Sequence, residues 1–158
     1  TKASNTELVK NYGEWFGINY AIAYFYNAFG PREISIGKYA TLIGLFAHKM
    51  RNNKSLTVVS PGTQLRNFTH IDDIISGLIL VAEKGYGDNY GIGSPKSYSI
   101  LDIAKMFGGT IEMIPERKGN RLSAKIITKK TIALGWSCKK SIKNYIDELK
   151  KNDFQEDR

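Results

Sequence analysis

Residues 18–26, INYAIAYFY, run directly into NAFGPR at 27–32. The first stretch is aromatic and β-branched and shows no alternation of polar and apolar positions. That composition predicts a strand covered on both faces, as in a parallel sheet flanked by helices. Gly30-Pro31 is a strong breaker, so 27–32 reads as a turn or loop. Upstream, Leu8, Tyr12, Trp15 and Phe16 fall at helical spacing over 3–16, with Gly17 as the stop. Downstream, KYATLIGLFAHKMRNN (38–53) is amphipathic, with basic residues near its end where they offset the helix dipole.

The same period-switching continues to the end of the chain. SLTVVS (55–60) predicts a short strand turned by Pro61-Gly62, and QLRNFTHI (64–71) an extended segment anchored by Phe68 and Ile71. IDDIISGLILVAEK (71–84) opens on two acids and closes on Lys84, the charge order a helix favours. It is apolar almost all round, which predicts a buried helix. NYGIG (89–93) predicts a short buried strand. Ser99 and Asp102 in SILD match a capping box, so a helix runs from there to Gly108-Gly109, followed by a strand at TIEMIPER (110–117). Thr128 is expected to cap a short helix closed by Gly135. The last helix, SIKNYIDELKKN (141–152), sets Ile142, Ile146 and Leu149 on one stripe. Helices and strands therefore alternate, which predicts an α/β fold.

At 158 residues, 42% of them hydrophobic, the chain has enough apolar surface for one real core. Cys138 is the single cysteine, which excludes an internal disulfide and a CxxC metal site. A reducing, cytoplasmic location and no metal are expected. No apolar run reaches the roughly 20 residues that span a bilayer, and TKASNTELVK has no signal-peptide core, so no membrane partner is expected. The chain lacks an initiator methionine, and is expected to begin inside a longer protein. Its net charge of +8 is uneven: 117–151 holds eleven Lys or Arg and two acids, Asp147 and Glu148. Either that stretch is a solvated basic face, or it meets an anion such as a diphosphate or a nucleic-acid backbone.

Four segments together settle the direction: NAFGPRE (27–33), GTQLRNFTHIDD (62–73), YGIGSPKSYSILDIAK (90–105) and PERKGNR (115–121). In order and spacing they resemble the NAD-dependent epimerases and dehydratases of nucleotide sugars, the extended short-chain dehydrogenase/reductase family. The resemblance covers nearly the whole chain and is greatest to the UDP-glucose 4-epimerase-like members. It implies the C-terminal part of an extended Rossmann-type fold. Residues 1–35 and 71–93 would belong to the dinucleotide-binding sheet, and 36–70 and 94–158 to the sugar-nucleotide lobe.

Residue by residue, the resemblance places Thr1-Lys2 at the end of the family's YxxxK motif, with the tyrosine four positions before Lys2 and outside the chain. Lys2 would hold the cofactor ribose and favour the ionised tyrosine, because a nearby cation lowers a phenol's pKa. Phe25 occupies an aromatic position beside the nicotinamide; the family often has tyrosine then phenylalanine where this chain has Phe25-Tyr26. Asn27 matches an asparagine that bonds the diphosphate, at the end of a strand where open α/β sheets bind ligands. Arg66 and Arg117 match two arginines that clamp the diphosphate with bidentate bonds. Asn120 stands where the family has an acid for the nucleotide ribose. As structural alternatives, Lys2 and the two arginines would be solvated cations and Asn27 a turn residue.

His70, between Phe68 and Ile71, is expected to be a packed residue without chemistry. Asp72 and Asp73 are explained by the helix start, and the sequon Asn67-Phe68-Thr69 is taken as coincidence. The family's glycine-rich GxxGxxG turn, which cradles the NAD pyrophosphate, does not occur in the sequence. Hence the chain is expected to be a truncated piece, inactive alone, of a protein that uses NAD to epimerise a UDP-sugar, with UDP-hexose 4-epimerisation favoured. A nucleotide-sugar 4,6-dehydratase and a basic nucleic-acid-binding module are the competing readings, the latter resting on charge alone. Binding of nucleic acid is not expected; a homodimer or higher self-association is, through the helix at 3–16 and the open edge of the strand at 18–26.

Overall fold

A computed structural model of the chain describes residues 1–116 and 126–155. It opens with α1 (Lys2–Phe16), which Gly17 stops by turning left-handed at φ 63°, a conformation that costs glycine little. The helix buries none of its residues, and Leu8, Tyr12, Trp15 and Phe16 are all exposed. The strand expected over 18–26 shortens to β1 (Ala21–Tyr24) and is not enclosed on both faces. It pairs in parallel with one neighbour, β6 (Gly87–Gly91). Among the described residues no strand lies along its other edge, and Tyr24 and Phe25 remain partly in solvent.

Three further strand pairs complete the sheet structure. β2 (Ala28–Phe29) runs parallel to β5 (Thr69–His70), and β3 (Leu56–Val59) parallel to β8 (Ile111–Ile114). β4 (Leu65–Asn67) is antiparallel to β7 (Ser97–Ser99), with Arg66 opposite Tyr98. Parallel pairs need crossovers, and helices supply them.

The main core forms where three amphipathic helices meet β3. α2 (Leu42–Arg51) is capped by Thr41, whose hydroxyl accepts from Gly44 N, and sends Ile43, Phe46 and Ala47 inward. α4 (Ile100–Phe107) opens on the expected capping box of Ser99 and Asp102 and contributes Ile103, Ala104 and Phe107. α6 (Ile142–Lys151) adds Ile142, Ile146 and Leu149, its predicted stripe. These residues join Phe29, Leu56, Val58 and Phe68 in one cluster, with the Phe46 and Phe107 rings edge to face at 5.6 Å. Full burial of such a side chain contributes about 1.5–3 kcal/mol.

The helix α3 (Ile71–Lys84) corrects an expectation. It is buried on one face only: Ile74, Gly77 and Val81 point inward, while Ile75 and Ile79 are about half exposed. An all-apolar composition cannot by itself say how many faces are covered. The inward face builds a second, smaller cluster of Ile74, Ile92 and Trp136. Gly77 is required there, because a Cβ would come within about 3.0 Å of Ile92 and the Trp136 indole. α5 (Lys129–Ala133) is not capped by the Thr128 side chain. Thr131, fully buried, fixes it instead by donating to the Gly91 carbonyl at 2.7 Å.

Candidate functional site

Lys2, Phe25, Asn27 and Arg66 line a single cleft of about 660 Å³, floored by Ile22–Tyr26. A smaller hollow of about 210 Å³, walled by Leu42, Val59, Gln64, Phe68 and Ile100, shares Asn27 and Arg66 with it. The two spaces therefore meet at those two side chains.

Local structure explains why these groups converge. Asn27 sits just beyond the C-terminal end of β1 with φ 52°, a left-handed conformation that asparagine tolerates better than most residues. Its side-chain amide donates to Asn67 O at 3.3 Å, and its backbone carbonyl accepts from Thr69 N at 3.2 Å. The turn is thus stitched to β4 and β5. Arg66 is half-buried on β4, and one guanidinium N–H returns to Leu65 O at 2.8 Å, which leaves most of the five-donor fork available. Lys2 projects from the first turn of α1 and is exposed. Among the described residues the lining of the larger cleft holds two cations and no carboxylate. Such a cleft attracts anions, since like-signed charges over a low-dielectric wall focus their field.

Tyr24 lies on the same wall. Burial first, and the nearby Asp88 further, raise its phenol pKa, with a hydrogen bond to Thr6 opposing. The phenol therefore stays protonated near neutrality.

His70 is the packed residue its neighbours indicate. Its ring meets Phe29 at 5.2 Å and Tyr145 at 5.8 Å, both edge-on. Nδ1 accepts from Asp72 N at 3.1 Å and so caps α3, which requires the neutral ring. Burial lowers its pKa, the Lys140 ammonium adds to the effect, and the carboxylates of Asp72 and Asp73 oppose it. With the folded value depressed, the unfolded chain binds more protons once the pH falls below the ordinary histidine value of about 6.5. Stability is therefore full above that value and falls as the pH drops through it. Urea midpoints at pH 7.5 and 5.5 are expected to differ in the parent and to draw together in His70→Phe; an unchanged gap would contradict this.

Asp73 does more than open a helix. It is buried, and its Oδ2 accepts from Lys139 N at 3.0 Å, Lys140 N at 2.9 Å and the Cys138 thiol at 3.4 Å. Trp136 Nε1 donates to its backbone carbonyl at 2.9 Å, and Asp72 pairs with Lys140 Nζ at 2.5 Å. The acid pair thus fastens residues 136–140 onto α3. Burial, then Asp73, pushes the Cys138 thiol up to about 11, which keeps it protonated and unreactive. Only the doubling of the acids, where one suffices for the dipole, hinted at this second duty.

Gln64 is the other residue that sequence reasoning passed over. It is buried, and its Nε2 donates to Val59 O at 3.3 Å. Asn67, the sequon asparagine, is also buried, bonded to Ser94 O and Ser97. Arg117 and Asn120 lie outside the described residues. Of the basic stretch, Lys130 donates to Asp88 O and stands 4.9 Å from the Tyr90 ring centre, while Lys140 holds Asp72. Among the described residues no helix is long and apolar enough to cross a membrane.

Known proteins resemble this chain in sequence and in fold. The sequence model of the NAD dependent epimerase/dehydratase family matches residues 1–93. A Methanocaldococcus jannaschii protein provisionally named as a UDP-glucose 4-epimerase is 30% identical over 161 residues, covering 96% of this chain and 52% of its own length. The dTDP-D-glucose 4,6-dehydratase of Dictyostelium discoideum is 33% identical over 106 residues, 66% of this chain and 24% of that protein. The crystal structure of UDP-glucose 4-epimerase with UDP-glucose from Thermotoga maritima superposes with a TM-score of 0.84 at 21% identity, over 96% of this chain and 52% of that one. This last likeness establishes the extended Rossmann-type fold. The chain spans about half the length, or less, of the curated relatives it matches.

Proposed function

Because the chain belongs to the NAD dependent epimerase/dehydratase family, we propose that it is the sugar-nucleotide-binding part of a nucleotide-sugar epimerase, acting at C4 of a UDP-hexose by transient oxidation and re-reduction. One observation carries this reading: Lys2, the Phe25–Asn27 segment and Arg66, three stretches distant in sequence, line one cationic cleft. Arg66 grips the diphosphate through its planar fork, and Asn27 donates to it from the end of β1. The resemblance assigns Arg117 to the same clamp and Asn120 to the nucleotide ribose, and both lie outside the described residues. The hexose then lies toward Lys2 and the aromatic floor.

The residues present fit the nicotinamide end of NAD: Lys2 and Phe25 both line the cleft, one a cation for the ribose hydroxyls and one a flat apolar surface. When bound, that cofactor supplies reversible hydride acceptance at the sugar carbon. Lys2 orients the ribose and stabilises a tyrosinate supplied from outside the chain, which takes the proton of the sugar hydroxyl. The 158-residue chain is by itself inactive on this reading, and the bare apolar face of α1 pairs with a second copy. A 4,6-dehydratase uses the same grip on the diphosphate, and the similarity to the Dictyostelium protein favours it as the second reading.

Titration calorimetry on the chain tests the proposal. UDP and UDP-glucose are expected to bind, competitively with each other, and UDP-glucose is expected to be recovered without conversion. Absence of binding by both nucleotides would sink it.

A further inference from the structure

Lys2 reaches the cleft from α1, yet almost none of that helix packs on the rest of the fold. Of its 15 residues only Thr6, Lys10 and Gly13 are partly covered, and none is buried. Those three share one stripe with Lys2, since helical residues three or four apart lie on the same side. Leu8, Tyr12, Trp15 and Phe16 face elsewhere, into solvent. Gly13 lets the helix rest on the Tyr20 ring, which a Cβ would strike. One turn nearer Lys2, Lys10 Nζ meets Asp88 Oδ2 at 2.8 Å. The Tyr24 phenol donates to the same carboxylate and meets the Thr6 hydroxyl.

Asp88 thus ties α1 to both strands of the β1–β6 pair. Its side chain is 15% exposed and that of Lys10 30%, far better shielded than the Asp72–Lys140 pair at 57% and 53%. Burial works against the Asp88 anion, but the bonds from Lys10, Tyr24 and Asn89 N prevail and hold its pKa below the ordinary carboxylate value. The tie is therefore charged near neutrality. Lys2 lies eight residues from Lys10, about 12 Å along the helix axis, so a small tilt there displaces its ammonium by ångströms. We propose that Asp88, acting through Lys10, is a positioning residue that sets Lys2 in the cleft. This rests on the reading of the cleft as an anion site in which Lys2 takes part.

Titration calorimetry with inorganic pyrophosphate tests it on the 158-residue chain, on Lys2→Ala, Asp88→Asn and Lys10→Met, and on each of the last two combined with Lys2→Ala. Asp88→Asn removes an anion and Lys10→Met a cation, so charge alone would strengthen binding in the first and weaken it in the second. Positioning instead gives the same loss of about threefold in both, equal to that of Lys2→Ala, and no further loss in the double variants. Lys10 lies on a helix that buries nothing, so its variant keeps the core and decides the matter even if Asp88→Asn fails to fold. Tighter binding by Asp88→Asn, unchanged binding by Lys10→Met, or losses that add to that of Lys2→Ala would each overturn the proposal and leave the cleft reading intact. If the unaltered chain does not bind pyrophosphate, or Lys2→Ala binds it equally well, the part given to Lys2 falls, and this proposal with it.

Discussion

A thermal midpoint lowered by about 10 °C is the expected result of replacing Asp73 with alanine, from a loss of about 3 kcal/mol in a domain of this size. Asp73 is 4% exposed, and its carboxylate accepts from two backbone N–H groups and a thiol across the gap between α3 and residues 138–140. Alanine leaves those donors facing a small void and removes an anion from the first turn of a helix, where it is favourable. Asparagine, which keeps one acceptor, should fall between the two. Asp72 is the control, because its partner Lys140 is a solvent-exposed lysine and such pairs contribute little. Differential scanning calorimetry on Asp73→Ala, Asp73→Asn and Asp72→Ala gives the order. Equal midpoints for Asp72→Ala and Asp73→Ala would show that the buried bonds do not carry the attachment.

Arg66→Ala is expected to weaken UDP binding by about 30-fold, the loss of a charge-assisted bidentate contact. Arg66→Lys should recover only part of that, because an ammonium keeps the charge but not the fork. The variant should fold normally: Arg66 is half-buried on a short strand pair, and its backbone, opposite Tyr98, is unaffected by the side chain. Lys2 remains in the cleft as the other cation, so residual binding should persist and become less sensitive to salt, one charged contact having been removed. Calorimetry at two ionic strengths, with circular dichroism to confirm folding, reads both effects. An affinity within twofold of the parent would remove Arg66 from the diphosphate site.

Local signals survive translation into structure best. Ser99 and Asp102 are three residues apart and satisfy each other, so their capping box could be read directly and is present. The stripe of Ile142, Ile146 and Leu149 likewise needs only the helical period. INYAIAYFY misled because its composition reports an apolar strand but not whether a second layer covers it; Tyr24 and Phe25 are left partly in solvent. The apolar girth of α3 misled in the same way. Two-residue β2 and three-residue β7 carry too few positions for any period. At the site, Asn27 and Arg66 were named from motif resemblance, while their convergence on one cleft with Lys2 depends on the tertiary fold. Asp73 and Asp88 escaped for a related reason. What distinguishes each is a partner that exists only after distant segments have met.

The strand pairings also dictate a timetable. Ala28 must find Thr69, Ala21 must find Gly87, Leu65 must find Ser99, and Leu56 must find Ile111. The spans overlap and cross, so the chain cannot close hairpin by hairpin as it leaves the ribosome. Among the described residues no sheet pairing can begin before Thr69 has emerged, and the main core further waits for Ile142, Ile146 and Leu149. Folding of this kind is governed by contacts remote in sequence and is correspondingly slow. Through most of synthesis, Phe46, Phe68 and the apolar face of α1 are therefore open to other chains, and a holding chaperone would find its grip there.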